Sequence, residues 1–259
     1  MNNKIKNIID SFLKDWIVKD EVEVIFICGS YVIGNPTSYS DIDIYIVTND
    51  SQKIRERGNK IIDGVLIEYF VNPPLQVENY MQDEFNSNTQ ITAHMIVTGE
   101  IYYQKNSLLV ENLKNKAHEY LNTNFKELSK TYIEVLKYGL WDGFDNLQEA
   151  FKRGEKTFEM SFNTFVYSNL YVTYSKSLRL PVISSERVER YLTQKSYRNK
   201  YRVKEFTDTY FKDEFLKLFE LNTYSQKMDT LKELVQYVIE QMEGLELNGF
   251  KIESELDLK

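Results

Sequence analysis

The stretch FICGSYVIGNPTSYSDIDIYIV, residues 26–47, sets Asp41 and Asp43 one residue apart inside an apolar run, eleven residues after Gly29-Ser30. Its two ends read as strands. VEVIFI (22–27) is short and β-branched, as a buried strand would be; GSYVIGNP then supplies the Gly and Pro that end it, and Ile42–Val47 begins a second strand. Successive strand side chains alternate faces, so Ile42 and Ile44 point into a core while Asp41 and Asp43 share the opposite face.

Upstream of this stretch, Ile5, Ile8, Ile9, Phe12, Leu13, Trp16 and Ile17 recur at helical spacing and predict a one-faced helix that packs on a sheet. Downstream, KIIDGVLIEYFV (60–71) carries Asp63-Gly64 between two apolar runs, the pair favoured where a hairpin turn needs positive φ at both central residues. Residues 75–98 read as helical and GEIYYQ (99–104) as an edge strand, giving an α/β or α+β module over residues 1–106.

Residues 107–245 change texture and predict a mostly helical domain, with a polar tail over 246–259. The stripes are Leu109/Leu113/Ala117, then Phe125/Leu128/Tyr132/Val135, then Phe158/Phe162/Phe165/Asn169/Val172. The clearest is Met228/Leu231/Val235/Val238/Met242/Leu245, with Thr223 and Gln226 as a capping box and Gly244 near the stop. The whole chain is long enough for one large domain or two ordinary ones.

Charge narrows the function classes. Of the net −7, most sits in residues 1–106, which hold 9 Lys/Arg against 15 Asp/Glu, while residues 107–259 hold 23 against 24. Because Lys/Arg neutralisation of phosphate supplies most non-specific affinity, an acidic chain is a poor nucleic-acid binder and suits cations and cationic substrates better. The single cysteine, Cys28, excludes an internal disulfide and a Cys-based zinc cluster, in keeping with a reducing compartment. With no signal-type segment and no 18-residue apolar run, the expectation is a soluble, cytoplasmic protein without a membrane partner.

The Asp pair carries the chemistry. Strand rise puts the two residues about 7 Å apart at the backbone, close enough for their carboxylates to converge on one ion. Like charges held together are costly unless a cation neutralises them, and hard oxygen ligands suit Mg²⁺, which keeps substrate phosphates and water in its other positions. Gly29 permits close backbone approach, and Ser30 sits at the start of a short helix whose free N–H groups suit an anion. Glu68, a charge in the apolar strand VLIEYFV, needs a partner that a nearby metal would supply.

Gly29-Ser30, then Ser40-Asp41-Ile42-Asp43, then Glu68 in a later strand resembles the nucleotidyltransferase superfamily related to DNA polymerase β. The bacterial aminoglycoside and lincosamide nucleotidyltransferases are the nearest in pattern. The motif region spans residues 24–72. The resemblance implies an α+β protein: a small mixed sheet flanked by helices, then an all-α domain that binds the acceptor. It also implies transfer of a nucleoside monophosphate, usually AMP from ATP, from an NTP to a hydroxyl of a small molecule such as an antibiotic, with release of pyrophosphate. Gly29, Ser30 and Ser40 would bind the triphosphate, and Asp41, Asp43 and Glu68 would ligate two Mg²⁺, with Glu68 placed to take the hydroxyl proton. One departure is that Val32 and Ile33 stand where many relatives carry a basic residue after Gly-Ser.

Other features read as structural first. Cys28 fits a small core residue, and His94 and His118 lack metal-ligand spacing. The basic segment 187–204 reads as a solvated helix face and loop; the rival reading sends one or two of its cations, with Lys176, to a triphosphate. Glu134, Asp142 and Asp145 are candidates for meeting a cationic acceptor. Two rival functions stand beside the small-molecule transferase: nucleotidylation of a protein partner, as in nucleotidyltransferase antitoxins, and a catalytically idle nucleotide-binding module.

Overall fold

The computed structural model describes residues 2–34 and 36–253. It contains two compact units, residues 1–123 with 200–202 and residues 124–199 with 203–259. The first is built from α1 (Asn3–Leu13), β1 (Val22–Cys28), α2 (Ser30–Ile33), β2 (Ile42–Thr48), β3 (Glu56–Ile62), β4 (Val65–Asn72), α3 (Pro74–Asn86), α4 (Ile91–Thr98), β5 (Glu100–Gln104) and α5 (Ser107–Asn122). The five-stranded sheet has the order β3-β4-β2-β1-β5. β2 and β4 pair in parallel while the other neighbours are antiparallel, so the sheet is mixed.

Alternation sorts the strands into two cores. Ile25, Ile27, Ile42, Ile44, Ile46 and Ile67 bury against Ile5, Ile8, Ile9, Phe12 and Leu13 of α1. On the other face Val24, Phe26, Cys28, Tyr45 and Val47 pack with Val77 and Met81 of α3, Ala93 and Ile96 of α4 and Leu113 and Ala117 of α5. The turn between β3 and β4 has Asp63 at φ 49° and Gly64 at φ 78°, which is the geometry the Asp-Gly pair predicts. β5 pairs with β1 as an edge strand.

The compact division falls after α5 rather than at residue 106. The apolar stripe of α5 is spent on the sheet's second face, so this helix travels with the α/β module although its sequence texture matches that of the later helices.

The second unit contains α6 (Lys130–Arg153), α7 (Phe158–Thr164), a π-helical stretch (Phe165–Tyr171), α8 (Val172–Ser177), α9 (Val188–Thr193), α10 (Lys195–Tyr201, its last two residues in the first unit), α11 (Thr209–Glu220) and α12 (Tyr224–Gln241). Two stripes change here. Ser129 Oγ accepts the Tyr132 N–H and starts α6 at Lys130, which leaves Phe125 and Leu128 outside the helix and gives it the buried face Lys137/Leu140/Phe144/Leu147. In the next helix Phe158, Phe162 and Phe165 are buried, but the π turn inserts extra residues and shifts the buried set to Val166, Leu170, Tyr171 and Tyr174.

The last helix keeps to its pattern. Met228, Leu231, Val235 and Val238 are buried, and Thr223 Oγ1 accepts the Gln226 N–H at 3.3 Å. The Gln226 side chain bonds the Thr223 hydroxyl instead of closing the box on its backbone. Gly244, at φ 75°, ends the run. The polar tail is not wholly solvated: Phe250 stacks on Tyr138 of α6 with centroids 4.8 Å apart. Its residues 254–259 lie outside the described residues.

Candidate active site

Asp43 lies in the middle strand of the motif. In register it faces Cys28 on β1 and Glu68 on β4. Adjacent strands lie about 4.8 Å apart, so directly paired residues of parallel β2 and β4 present their side chains side by side on one face. Asp41, two residues before Asp43 and just ahead of β2, projects to the same side. A carboxylate oxygen from each of Asp41, Asp43 and Glu68 falls within 4.8 Å of the other two, and all three residues are half-buried. Three hard oxygen donors so gathered fit a divalent ion such as Mg²⁺.

Gly29 is tied to this cluster by space. A Cβ at position 29 would sit 1.9 Å from Asp43 Oδ2, and the backbone there has φ 72°. Glycine alone meets both conditions without strain. Ser30 opens α2 directly after it. The Ser40 hydroxyl accepts the Thr37 N–H at 2.8 Å in the turn that precedes Asp41. The structure thus brings Asp41, Asp43 and Glu68 together, with Gly29 against Asp43.

A cleft of about 660 Å³ opens beside Asp43 and Glu68 and runs along β2 and β4 toward α3 and α4. Tyr45 and Phe70 stack along it, ring centroids 5.9 Å apart, and Asn72 Nδ2 donates to the Tyr45 hydroxyl at 3.2 Å. At its far end Glu84 accepts the Thr92 N–H and hydroxyl, both at 2.7 Å, capping α4. Burial outweighs these bonds and holds the Glu84 carboxyl above the ordinary glutamate range.

Two arginines ahead of and on β3 line the same cleft, and neither is marked by the motif. Arg57 Nη2 donates to Glu68 Oε1 at 2.7 Å, with its guanidinium 4.8 Å from the Phe70 ring centre. Arg55 Nη1 donates to the Tyr80 hydroxyl at 2.7 Å. A sequence signal for Arg57 existed. Counting back from the Asp63-Gly64 turn pairs Asn59 with Glu68 and Arg57 with Phe70, which makes Arg57 a diagonal neighbour of Glu68.

Cys28 behaves as the core residue the sequence predicts, while Arg198 of the basic segment is drawn into the fold and not solvated. Cys28 is fully buried, its thiol donating to the Met95 carbonyl, and burial with the nearby Asp43 charge pushes the thiol far above its usual range. Within the basic segment, Arg198 bonds the Tyr191 and Leu192 carbonyls at the end of α9 and pairs with Glu205. Glu134 pairs with buried Lys137 at 2.5 Å, while Asp142 and Asp145 are exposed on α6.

Fold and site together define a mixed α/β sheet that presents a carboxylate cluster for a hard cation beside an open cleft. Residues 5–117 match the family described as Nucleotidyltransferase domain, which supports a transferase. No curated protein matches the chain. Among solved structures, a nucleotidyltransferase-like protein from Exiguobacterium sibiricum 255-15 is similar with TM-score 0.46 and 11% identity, over 92% of this chain and 75% of its own. No helix among the described residues is long and apolar enough to cross a membrane.

Proposed function

We propose that this protein transfers a nucleoside monophosphate, AMP as the first choice, from an NTP to a hydroxyl group of a small molecule, releasing pyrophosphate. The observation that carries the reading is the convergence of Asp41, Asp43 and Glu68 within 4.8 Å inside a matched nucleotidyltransferase domain. In balance, the acceptor oxygen forms a bond to the α-phosphorus as the bond from that phosphorus to the bridging oxygen breaks. The electron pair leaves with pyrophosphate, and the hydroxyl proton passes to Glu68 or to water.

Asp41, Asp43 and Glu68 would hold two Mg²⁺, which supply electrostatic stabilisation of the attacking and leaving oxygens. Gly29 keeps the backbone against Asp43, so that the strand-to-helix turn and Ser30 can approach the phosphates. Ser40 acts by holding the turn before Asp41. Glu68, which pairs with Arg57, would be the carboxylate on the acceptor's side.

For the acceptor we propose a hydroxylated antibiotic of the aminoglycoside or lincosamide kind, in a cytoplasmic protein. The test is pyrophosphate release from each NTP with Mg²⁺ across a panel of such compounds, beside Asp43→Asn. Release that needs one acceptor and vanishes in the variant is the expected result. If Mg-NTP binds but no compound stimulates release, the small-molecule reading fails and a protein acceptor or an idle module replaces it.

A further inference from the structure

Glu68 has two claimants. Arg57 holds it: Nη2 lies 2.7 Å from Glu68 Oε1, and the guanidinium rests on the Phe70 ring. In the proposed reaction a divalent ion needs the same carboxylate. A guanidinium and a divalent ion on one carboxylate repel each other, so binding of one weakens the other. We propose that Arg57 is a positioning residue that neutralises and holds Glu68 before an ion binds and competes with the incoming divalent ion for it. This inference rests on the ion-site reading above.

The geometry suits a displaceable partner. The Arg57 side chain is 68% exposed and that of Glu68 28%. Arg57 stands on β3, an edge strand, so it can turn to water without leaving a buried charge unpaired. Until an ion arrives, its charge offsets the repulsion among three carboxylates gathered within 4.8 Å. The Phe70 ring beneath the guanidinium limits the orientations from which Arg57 can reach Glu68, and so fixes that carboxylate beside Asp43.

The experiment is titration of the full chain with Mn²⁺ alone, read by calorimetry or by loss of the free-ion resonance signal, with no nucleotide present. Arg57→Gln should bind Mn²⁺ about two- to fivefold more tightly than wild type, the size expected for release of one largely exposed ion pair. Arg57→Lys, which keeps the charge but not the planar fork, should fall between them. In a Glu68→Gln background the Arg57→Gln gain should disappear. A merely structural Arg57 would weaken ion binding when replaced. Unchanged or weaker Mn²⁺ binding by Arg57→Gln, with a normal thermal transition showing that it folds, overturns the proposal. So does a gain that persists without the Glu68 charge. If Asp43→Asn binds Mn²⁺ as wild type does, the ion-site reading itself is what has failed, and the competition falls with it.

Discussion

The carboxylate cluster of the first unit and the Asp208 and Lys137 charges of the second are held in different ways. In the first, Asp41, Asp43 and Glu68 are gathered within 4.8 Å of one another, with Arg57 set against Glu68. In the second, charges meet donors or acceptors of the fold itself. Asp208 accepts from the Tyr174 and Tyr237 hydroxyls and from the Phe211 N–H, and Lys137 donates to Glu134 and to the Gly244 carbonyl. Carboxylates beside carboxylates lower stability until a cation arrives, whereas a carboxylate beside donors raises it. The same residue type is therefore clustered with its like in one unit and serves as a structural joint in the other.

The most forceful way to break this contrast is Asp43→Asn. Turnover should fall about a thousandfold or more, because a bound metal contributes several kcal/mol to the transition state. The ion-free thermal midpoint should hold steady or rise, since one of three crowded charges is gone. A lower midpoint would mean that Asp43 is a structural carboxylate after all. Gly29→Ala comes next: with its Cβ 1.9 Å from Asp43 Oδ2 and φ at 72°, the turn or the carboxylate must move. Mn²⁺ affinity and turnover should both drop, the former at least tenfold, by about 1.4 kcal/mol or more of strain carried into the site.

The mirror experiment in the second unit is Asp208→Ala. It removes the side-chain cap of α11 and the acceptor of two tyrosine hydroxyls, and should cost about 2 kcal/mol in denaturant unfolding. It should leave Mn²⁺ affinity unchanged. An altered affinity would show that the division of labour between the units is not as drawn.

How much of this was legible depends on how local each signal is. That Asp41 and Asp43 share a face is legible because strand alternation is a two-residue rule, and Glu68 stands out because a charge inside VLIEYFV contradicts its surroundings; the structure brings the three within 4.8 Å. Arg57 needs a longer count, from the Asp63-Gly64 turn across the hairpin, and a charged edge strand gives no cue to make it. The π turn at Phe165–Tyr171 leaves no mark in periodicity until it has already shifted the buried face. Tyr174 and Asp208 lie 34 residues apart, so their bond is fixed by tertiary packing and not by any motif. α5 shows the same limit: a helix stripe says that a face is buried, not on what.

The finest test sets two carboxylates, one from each unit, against each other in acid. For Glu84 burial dominates and raises its pKa above the ordinary 4.5. The folded state then favours the proton, so the stability this group adds is complete below about 4.5 and is lost as pH rises through the raised value. For Asp208 burial is the largest single influence and raises the pKa, but the bonds from Tyr174, the Phe211 N–H and Tyr237 together outweigh it and leave the value below 3.8. Its contribution is present above 3.8 and is lost as pH falls through the depressed folded value. Wild type compared with Glu84→Gln should therefore gain in thermal midpoint as pH falls toward 4.5. Wild type compared with Asp208→Asn should lose its advantage only below 3.8, so the two difference curves have opposite slopes. Parallel slopes would mean that the hydrogen bonds around Asp208 do not outweigh its burial, and the second unit's charge would then be strained in the same sense as the first unit's.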